Sequence, residues 1–313
     1  MEDHSRKGAK KNKKGTSLMR KSIACFVLIG ISLASSLALA ESVLPFHLVQ
    51  DKPVVVACIQ GKCGHFLVDF GAPGQPELYL RKSLLDQLTG VKSLHTTIKQ
   101  NNIAGQKFQI ELMTVNGFRL AGKILNGITI AKWVPWGVSR FTPKQAKNGG
   151  KAVQAVQNRI DTLDGVIGLR VFERFGTVTL DYANRRFLFS LPRAKQPSRT
   201  EAFRLDANGI SVPVKINGQS YRLVVDTGAP NTSLKASHLH GKPQVHPCPP
   251  PNKDCGILSV HSFEIDRLDK LKPTILVFQN KEPDYDGILG GNVLNKIVLF
   301  LDFSHKKFGV KNP

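Results

Sequence analysis

The sequence predicts an all-β protein of two similar lobes, related by pseudo-twofold symmetry and separated by a cleft. Three observations carry that expectation. First, FLVDFGAP (66–73) recurs as LVVDTGAP (223–230) at an offset of 157, and the match extends back through ACIQGKCGHFLVDFGAP (57–73) over VKINGQSYRLVVDTGAP (214–230) without a gap. Second, DGVIGLRVFERFGTVTLDYANRRF (164–187) matches DGILGGNVLNKIVLFLDFSHKKF (286–308) with one single-residue gap. Third, the apolar runs are short, β-branched or aromatic, and bounded by turn residues, whereas helical signal is confined to brief pieces. Two copies are too few for a stacked solenoid. A pair sharing one site, the intramolecular form of a twofold dimer, fits better.

Taken in order, residues 1–40 read as a targeting segment outside the fold. Seven Lys and Arg between Lys7 and Lys21 precede an apolar run, Ile23–Ala40, that ends in the small-x-small pattern Ala38-Leu39-Ala40. The alternative is an uncleaved membrane anchor, since 18 residues can span a bilayer. Cys25 lies at the start of the run, where a lipidated cysteine would not. Either way the body is expected to be exported, to a periplasm or the exterior.

Lobe 1 is expected over 41–189, with strands at Val54–Val56, Phe66–Val68, Phe108–Leu112, Ile124–Ile130 and Thr177–Leu180 and a short helix at Arg81–Leu88. Residues 190–202 (SLPRAKQPSRTEA) are polar, basic and Pro-containing, as expected of a linker. Lobe 2, 203–313, repeats the order with Val212–Ile216, Leu223–Val225, Thr274–Phe278 and Val298–Leu301. The units differ chiefly by the extra stretch 133–161 in the first, a length at which loops are usually functional or mobile. Its Trp133 and Trp136 read either as substrate-gripping aromatics or as loop anchors.

Export gives the cysteines a role. If Gln60-Gly61 makes a two-residue hairpin turn, Cys58 faces Cys63 as a non-hydrogen-bonded pair, with Cα atoms about 4.5 Å apart. Lys215 and Ser220 are the counterparts, on a hairpin with the favoured Asn217-Gly218 turn. Cys248 and Cys255 flank PPPNKD and can close that loop. Two local disulfides are therefore expected, free buried thiols being the alternative.

The chain carries +21, of which residues 1–40, with eight basic and two acidic side chains, supply +6. The remaining basic residues are scattered and no nucleic-acid motif is present, so a nucleic-acid partner is not expected. His238, His240, His246 and Cys248 have metal-ligand chemistry, but a polar disulfide-closed loop is the better reading. Neither a phosphate-binding Gly-rich loop nor a serine-nucleophile elbow occurs.

The chemistry lies in the first repeat. Asp69 and Asp226 occupy matched turns, each followed by Gly and Ala: Gly71 and Ala72, then, after Thr227, Gly228 and Ala229. Two carboxylates about 3 Å apart cannot both ionise, so they share a proton; one then acts as base and its neighbour as acid. The glycines permit close backbone approach. Together with Val166-Ile167-Gly168 and Ile288-Leu289-Gly290, this pattern resembles the retropepsin-like aspartic proteases, over nearly all of 50–189 and 203–311. The resemblance implies retropepsin-like closed β lobes with a hairpin flap, an Asp69/Asp226 catalytic dyad, Gly168 and Gly290 as structural support, a peptide or protein substrate, and no metal or organic cofactor. It also implies that one chain acts as a monomeric pseudo-dimer.

Phe70 departs from the pattern, standing where the family has Thr or Ser. Its ring has to be housed, at an overpacking cost of about 1–3 kcal/mol if the site is tight. Two other readings therefore stay open: a catalytically silent peptide- or envelope-binding protein, and a homodimer in which two copies of Asp226 form the dyad.

Overall fold

The computed structural model describes residues 41–72, 74–101, 107–133, 162–249, 255–279 and 285–313. The segment 1–40, and all of 133–161 except Trp133, lie outside the described residues. The fold is predominantly β, in sheets of ten, nine and six strands, with helices of one turn at Lys82–Leu85, Leu169–Glu173 and Gly291–Leu294. Among the described residues no helix is long and apolar enough to cross a membrane.

The ten-stranded sheet is built around the hairpin Lys52–Ile59/Lys62–Asp69, and the nine-stranded sheet around Gly209–Ile216/Gln219–Val225. Both hairpins turn through two residues of positive φ, Gln60-Gly61 (51°, 79°) and Asn217-Gly218 (52°, 78°), the twist-matching conformation. Gln60 tolerates it because its side chain is tied to Thr89, whose N–H donates to Gln60 Oε1 at 2.9 Å. Cys58 faces Cys63 and Lys215 faces Ser220, as the turn geometry requires. Cys58–Cys63 is a disulfide with Cα atoms 3.9 Å apart, and Cys248–Cys255 a second with 5.5 Å.

In each sheet the hydrophobic-Gly motif enters as a parallel strand beside the aspartate-bearing one. Gly165–Gly168 runs along Lys62–Asp69 with Gly168 opposite Asp69, and Gly287–Leu289 runs along Gln219–Val225 with Leu289 opposite Val225. Gly165–Gly168 is buried on both faces and Gly287–Leu289 nearly so, which explains their uninterrupted apolar sequence.

The expectation of closed lobes is corrected. The ten-stranded sheet ends in the edges Lys92–Asn101 and Lys123–Leu125, and the nine-stranded sheet in Arg204–Asp206 and Val245–Pro247; none of the sheets closes. The physical reason is where each repeat sends its last strands. Thr177–Asp181 pairs with Val298–Asp302, and each carries its own neighbour, Arg186–Phe189 or Lys307–Lys311, into the six-stranded sheet, so these strands do not return to seal their own units. The central register sets Thr179 opposite Phe300, flanked by Thr177 with Asp302 and Asp181 with Val298.

Two further expectations are adjusted. Ile124–Ile130 is not one strand; a turn at Asn126-Gly127 separates Lys123–Leu125 from Ile128–Lys132, pinned by Gly127 N–H donating to Asn116 Oδ1 at 2.8 Å. The segment 190–202 is docked: Leu191 joins Leu188 and Phe300 in a small apolar cluster, Pro197 packs on Gly309, and Glu201–Ala202 pairs with Lys307 and Phe308.

Candidate active site

Asp69 ends the strand Lys62–Asp69, and Asp226 directly follows Gln219–Val225. The chain then turns tightly: the Ala72 N–H donates to the Asp69 carbonyl (3.2 Å) and the Ala229 N–H to the Asp226 carbonyl (3.3 Å). Each carboxylate also takes N–H groups of its own turn. Asp69 Oδ1 accepts from Gly71 at 2.9 Å, whereas Asp226 Oδ1 accepts from both Gly228 (2.7 Å) and Ala229 (3.0 Å). The turns face one another. A Cβ on Gly228 would lie 2.6 Å from Asp69 Oδ1, and one on Gly71 2.5 Å from Asp226 Oδ2.

The two carboxyl groups are within hydrogen-bonding reach of each other, and their environments differ. Burial lifts both above the ordinary carboxylate range. Asp69 is lifted well above it, because the charge of Asp226 adds to burial and a hydrogen bond to Asp226 keeps the Asp69 proton in place. For Asp226 burial is offset by that same bond and by the Gly228 and Ala229 donors. Lys52 lowers both. With two backbone donors on Asp226 Oδ1 against one on Asp69 Oδ1, the shared proton is assigned to Asp69, and the pair titrates as a unit.

Thr227, fully buried, braces the turns: the Phe70 N–H donates to its Oγ1 (3.0 Å), and Oγ1 donates to the Val68 carbonyl (2.7 Å). Phe70 makes no reciprocal bond. Its ring is fully buried instead, with ring centroids 5.0 Å from Phe172 and 6.3 Å from Phe187. The first repeat has built an aromatic chamber for it, so the overpacking expected from sequence is absorbed; Leu294 stands at the position matching Phe172. A prediction follows that runs against the family pattern. Phe70→Thr supplies the missing hydroxyl but empties the chamber, and is expected to cost about 3 kcal/mol in denaturant unfolding.

The supporting motifs stand behind the turns. Gly168 N–H donates to the Glu77 carbonyl (2.9 Å) and Leu169 N–H to the Ala72 carbonyl (3.1 Å), while Gly290 N–H donates to Thr232 Oγ1 (3.1 Å) and Gly291 N–H to the Ala229 carbonyl (2.8 Å). The Asp of each Asp-Gly pair ties the hairpin to this strand: Asp164 Oδ2 accepts from His65 N–H (2.8 Å) and Asp286 Oδ2 from Arg222 N–H (2.7 Å). Those roles follow from the second repeat.

The histidines of the polar loop do not converge. His238 Nδ1 pairs with Asp286 Oδ1 at 2.7 Å, His246 Nε2 meets Ser259 Oγ at 3.1 Å, and Cys248 is in its disulfide. Among the described residues no group of three metal-ligating side chains forms. Trp133 is an anchor: it is buried, with the Arg81 guanidinium 5.5 Å from its ring centroid. Trp136 lies outside the described residues.

Sequence reading missed a matched feature on the other side. Lys235 Nζ lies 4.7 Å over the ring of Tyr285, as Arg81 lies over Trp133, and the two cations occupy equivalent places. Each donates its backbone N–H, at 2.9 Å, to the carbonyl of its Asp, Arg81 to Asp164 and Lys235 to Asp286. The signal was present only in the second repeat, where Tyr285 directly precedes Asp286; Trp133 is separated from Asp164 by the insertion. No family model matches the chain, and no curated protein matches it.

Proposed function

We propose that this protein is an exported, single-chain aspartic endopeptidase of the retropepsin-like class. The observation that carries the reading is the mutual approach of Asp69 and Asp226 on matched turns, each carboxylate backed by the other turn's glycine. The six-stranded register supports a pseudo-twofold arrangement, because Thr177–Asp302 and Asp181–Val298 exchange under the repeat alignment about Thr179–Phe300. The two disulfides fit an oxidising compartment, in keeping with 1–40 as a cleaved signal.

In this reading a water between the carboxyls gives a proton to Asp226 as its oxygen bonds to the scissile carbonyl carbon. Asp69 gives its proton to the carbonyl oxygen, so no free oxyanion has to be stabilised. The tetrahedral diol then collapses: the C–N bond breaks, the nitrogen takes the proton from Asp226, and Asp69 recovers one from the diol. The phenylalanine-lined chamber favours this over a silent binding protein, since it houses the Phe70 ring while the Asp69 turn keeps its Gly71 and Ala72 N–H bonds. The deciding assay is cleavage of a peptide library by mature protein, with and without a statine-type inhibitor. Inhibitor-sensitive cleavage is expected, and its absence at every pH from 3 to 7 would remove the reading.

The pH profile has a definite sign. Rate is lost below the Asp226 pKa and above the Asp69 pKa, and burial raises both, so the optimum is expected in weak rather than strong acid. Ala229→Ser places a hydroxyl donor beside Asp226. It should lower that pKa and move the acidic limb down by about half a unit to one unit. A limb that stays put or moves alkaline would reject this account.

A further inference from the structure

Beside Asp226 and next to Gly71 lies a cavity of about 190 Å³ on the lobe-2 side. Its floor is Val224 and Ile288, neighbours across the parallel strand pair. Its rim is the Ala207-Asn208 turn and Tyr285. The matched turn in the first repeat is Gln50-Asp51, so a methyl group stands here where the other unit has a long carboxamide.

Resting on the peptidase reading above, we propose that this cavity selects a substrate carboxamide side chain, such as that of glutamine, beside the bond that is cut. The apolar floor receives the methylene stem. Asn208 and Tyr285 each offer a donor and an acceptor at the rim, the complement of a carboxamide. Neither side chain has a hydrogen-bond partner among the described residues. The phenol is held in place from behind: Lys235 lies over its ring, and the next residue, Asp286, is fixed by Arg222, His238 and Lys235.

Other side-chain classes fit less well. An apolar side chain would strip water from the Asn208 amide and the Tyr285 hydroxyl without replacing it, at about 1–3 kcal/mol for each unpaired group. A carboxylate would be repelled by Asp226, whose charge reaches Tyr285 and, after burial, helps keep the phenol protonated. Sites built on hydrogen bonds reject analogues that lack them far more strongly than apolar pockets discriminate by size.

The test uses non-cleavable hydroxyethylene peptides that differ only in the residues flanking the isostere, Gln, Glu, Met or Leu. Their binding to mature protein, Tyr285→Phe and Asn208→Ala is measured by calorimetry, beside cleavage of the matching peptides. The expected result is Gln tighter than Met and Glu by about tenfold at one flanking position, lost in both variants without a change in Tm. Tighter binding of Met or Leu, or a Gln preference that survives both substitutions, would overturn the inference. Preferential binding without cleavage would leave it standing and remove the peptidase reading. Cleavage without the preference would do the reverse, and no binding at all would sink both.

Discussion

Asp69→Asn is expected to lower kcat by about 10³-fold or more and, at neutral pH, to make the protein more stable. The kinetic loss follows from the assigned protonation. Asn cannot hand a proton to the carbonyl oxygen, and one general acid or base is worth about 10²–10⁴-fold. The stability gain follows from linkage. Burial, then the charge of Asp226, raises the Asp69 pKa in the folded state, so between the unfolded and folded values the native protein holds a proton that the unfolded chain has released. The contribution of the group is therefore fully favourable below the unfolded value, near 3.9, and is lost as pH rises through the folded one. Each unit of displacement is about 1.4 kcal/mol. A neutral amide escapes that cost, so the Tm gain over wild type should be several degrees at pH 7 and shrink toward pH 4. Wild-type kcat in this variant would mean that the dyad is not intramolecular, and the homodimer of Asp226 turns would take its place. Equal Tm differences at pH 4 and pH 7 would reject the protonation assignment.

Much of the site was legible because a repeat converts weak motifs into geometry. Asp-Thr-Gly alone says little, yet its recurrence as Asp69-Phe70-Gly71 singles out the two turns that the structure brings face to face. The same logic gave the hairpin registers and the Cys58–Cys63 bridge, since a two-residue turn leaves only one pairing. Sheet closure was not legible. It depends on whether the last strands of a unit return to it or pair with the other copy, and nothing in the sequences of Thr177–Asp181 and Val298–Asp302 distinguishes the two outcomes. Phe70 could be read only as a conflict, because the aromatic chamber that resolves it draws Phe172 and Phe187 from more than a hundred residues downstream. The unequal backbone donation to the two carboxyls was also beyond sequence. Both turns carry Gly-Ala, and only the fold shows that the Ala229 N–H is shared between the Asp226 carbonyl and carboxylate while the Ala72 N–H goes to the Asp69 carbonyl alone.

Gly228→Ala and Gly71→Ala should each reduce kcat by about 10²-fold or more, while Gly74→Ala leaves it unchanged. In the first two, the added methyl has no free volume. It would lie 2.6 Å from Asp69 Oδ1 in one case and 2.5 Å from Asp226 Oδ2 in the other, where ordinary contact begins about 1 Å further out. The carboxylates have little room to retreat, because each is held by the N–H groups of its own turn. The turns must then separate, and Thr227, bonded to both Phe70 and Val68 across the interface, resists that movement. A displacement of about 1 Å in reacting groups is enough for a 10²-fold loss. The shared proton would be affected too: drawing the carboxyls apart weakens their mutual hydrogen bond and repulsion, so the Asp69 pKa falls and the alkaline limb of the rate profile moves to lower pH. Gly74 is the control, since a Cβ there meets nothing within 4 Å and it lies just past the same turn. Wild-type kcat in Gly228→Ala, with an unshifted alkaline limb, would mean that the approach of the two turns is not what sets the chemistry.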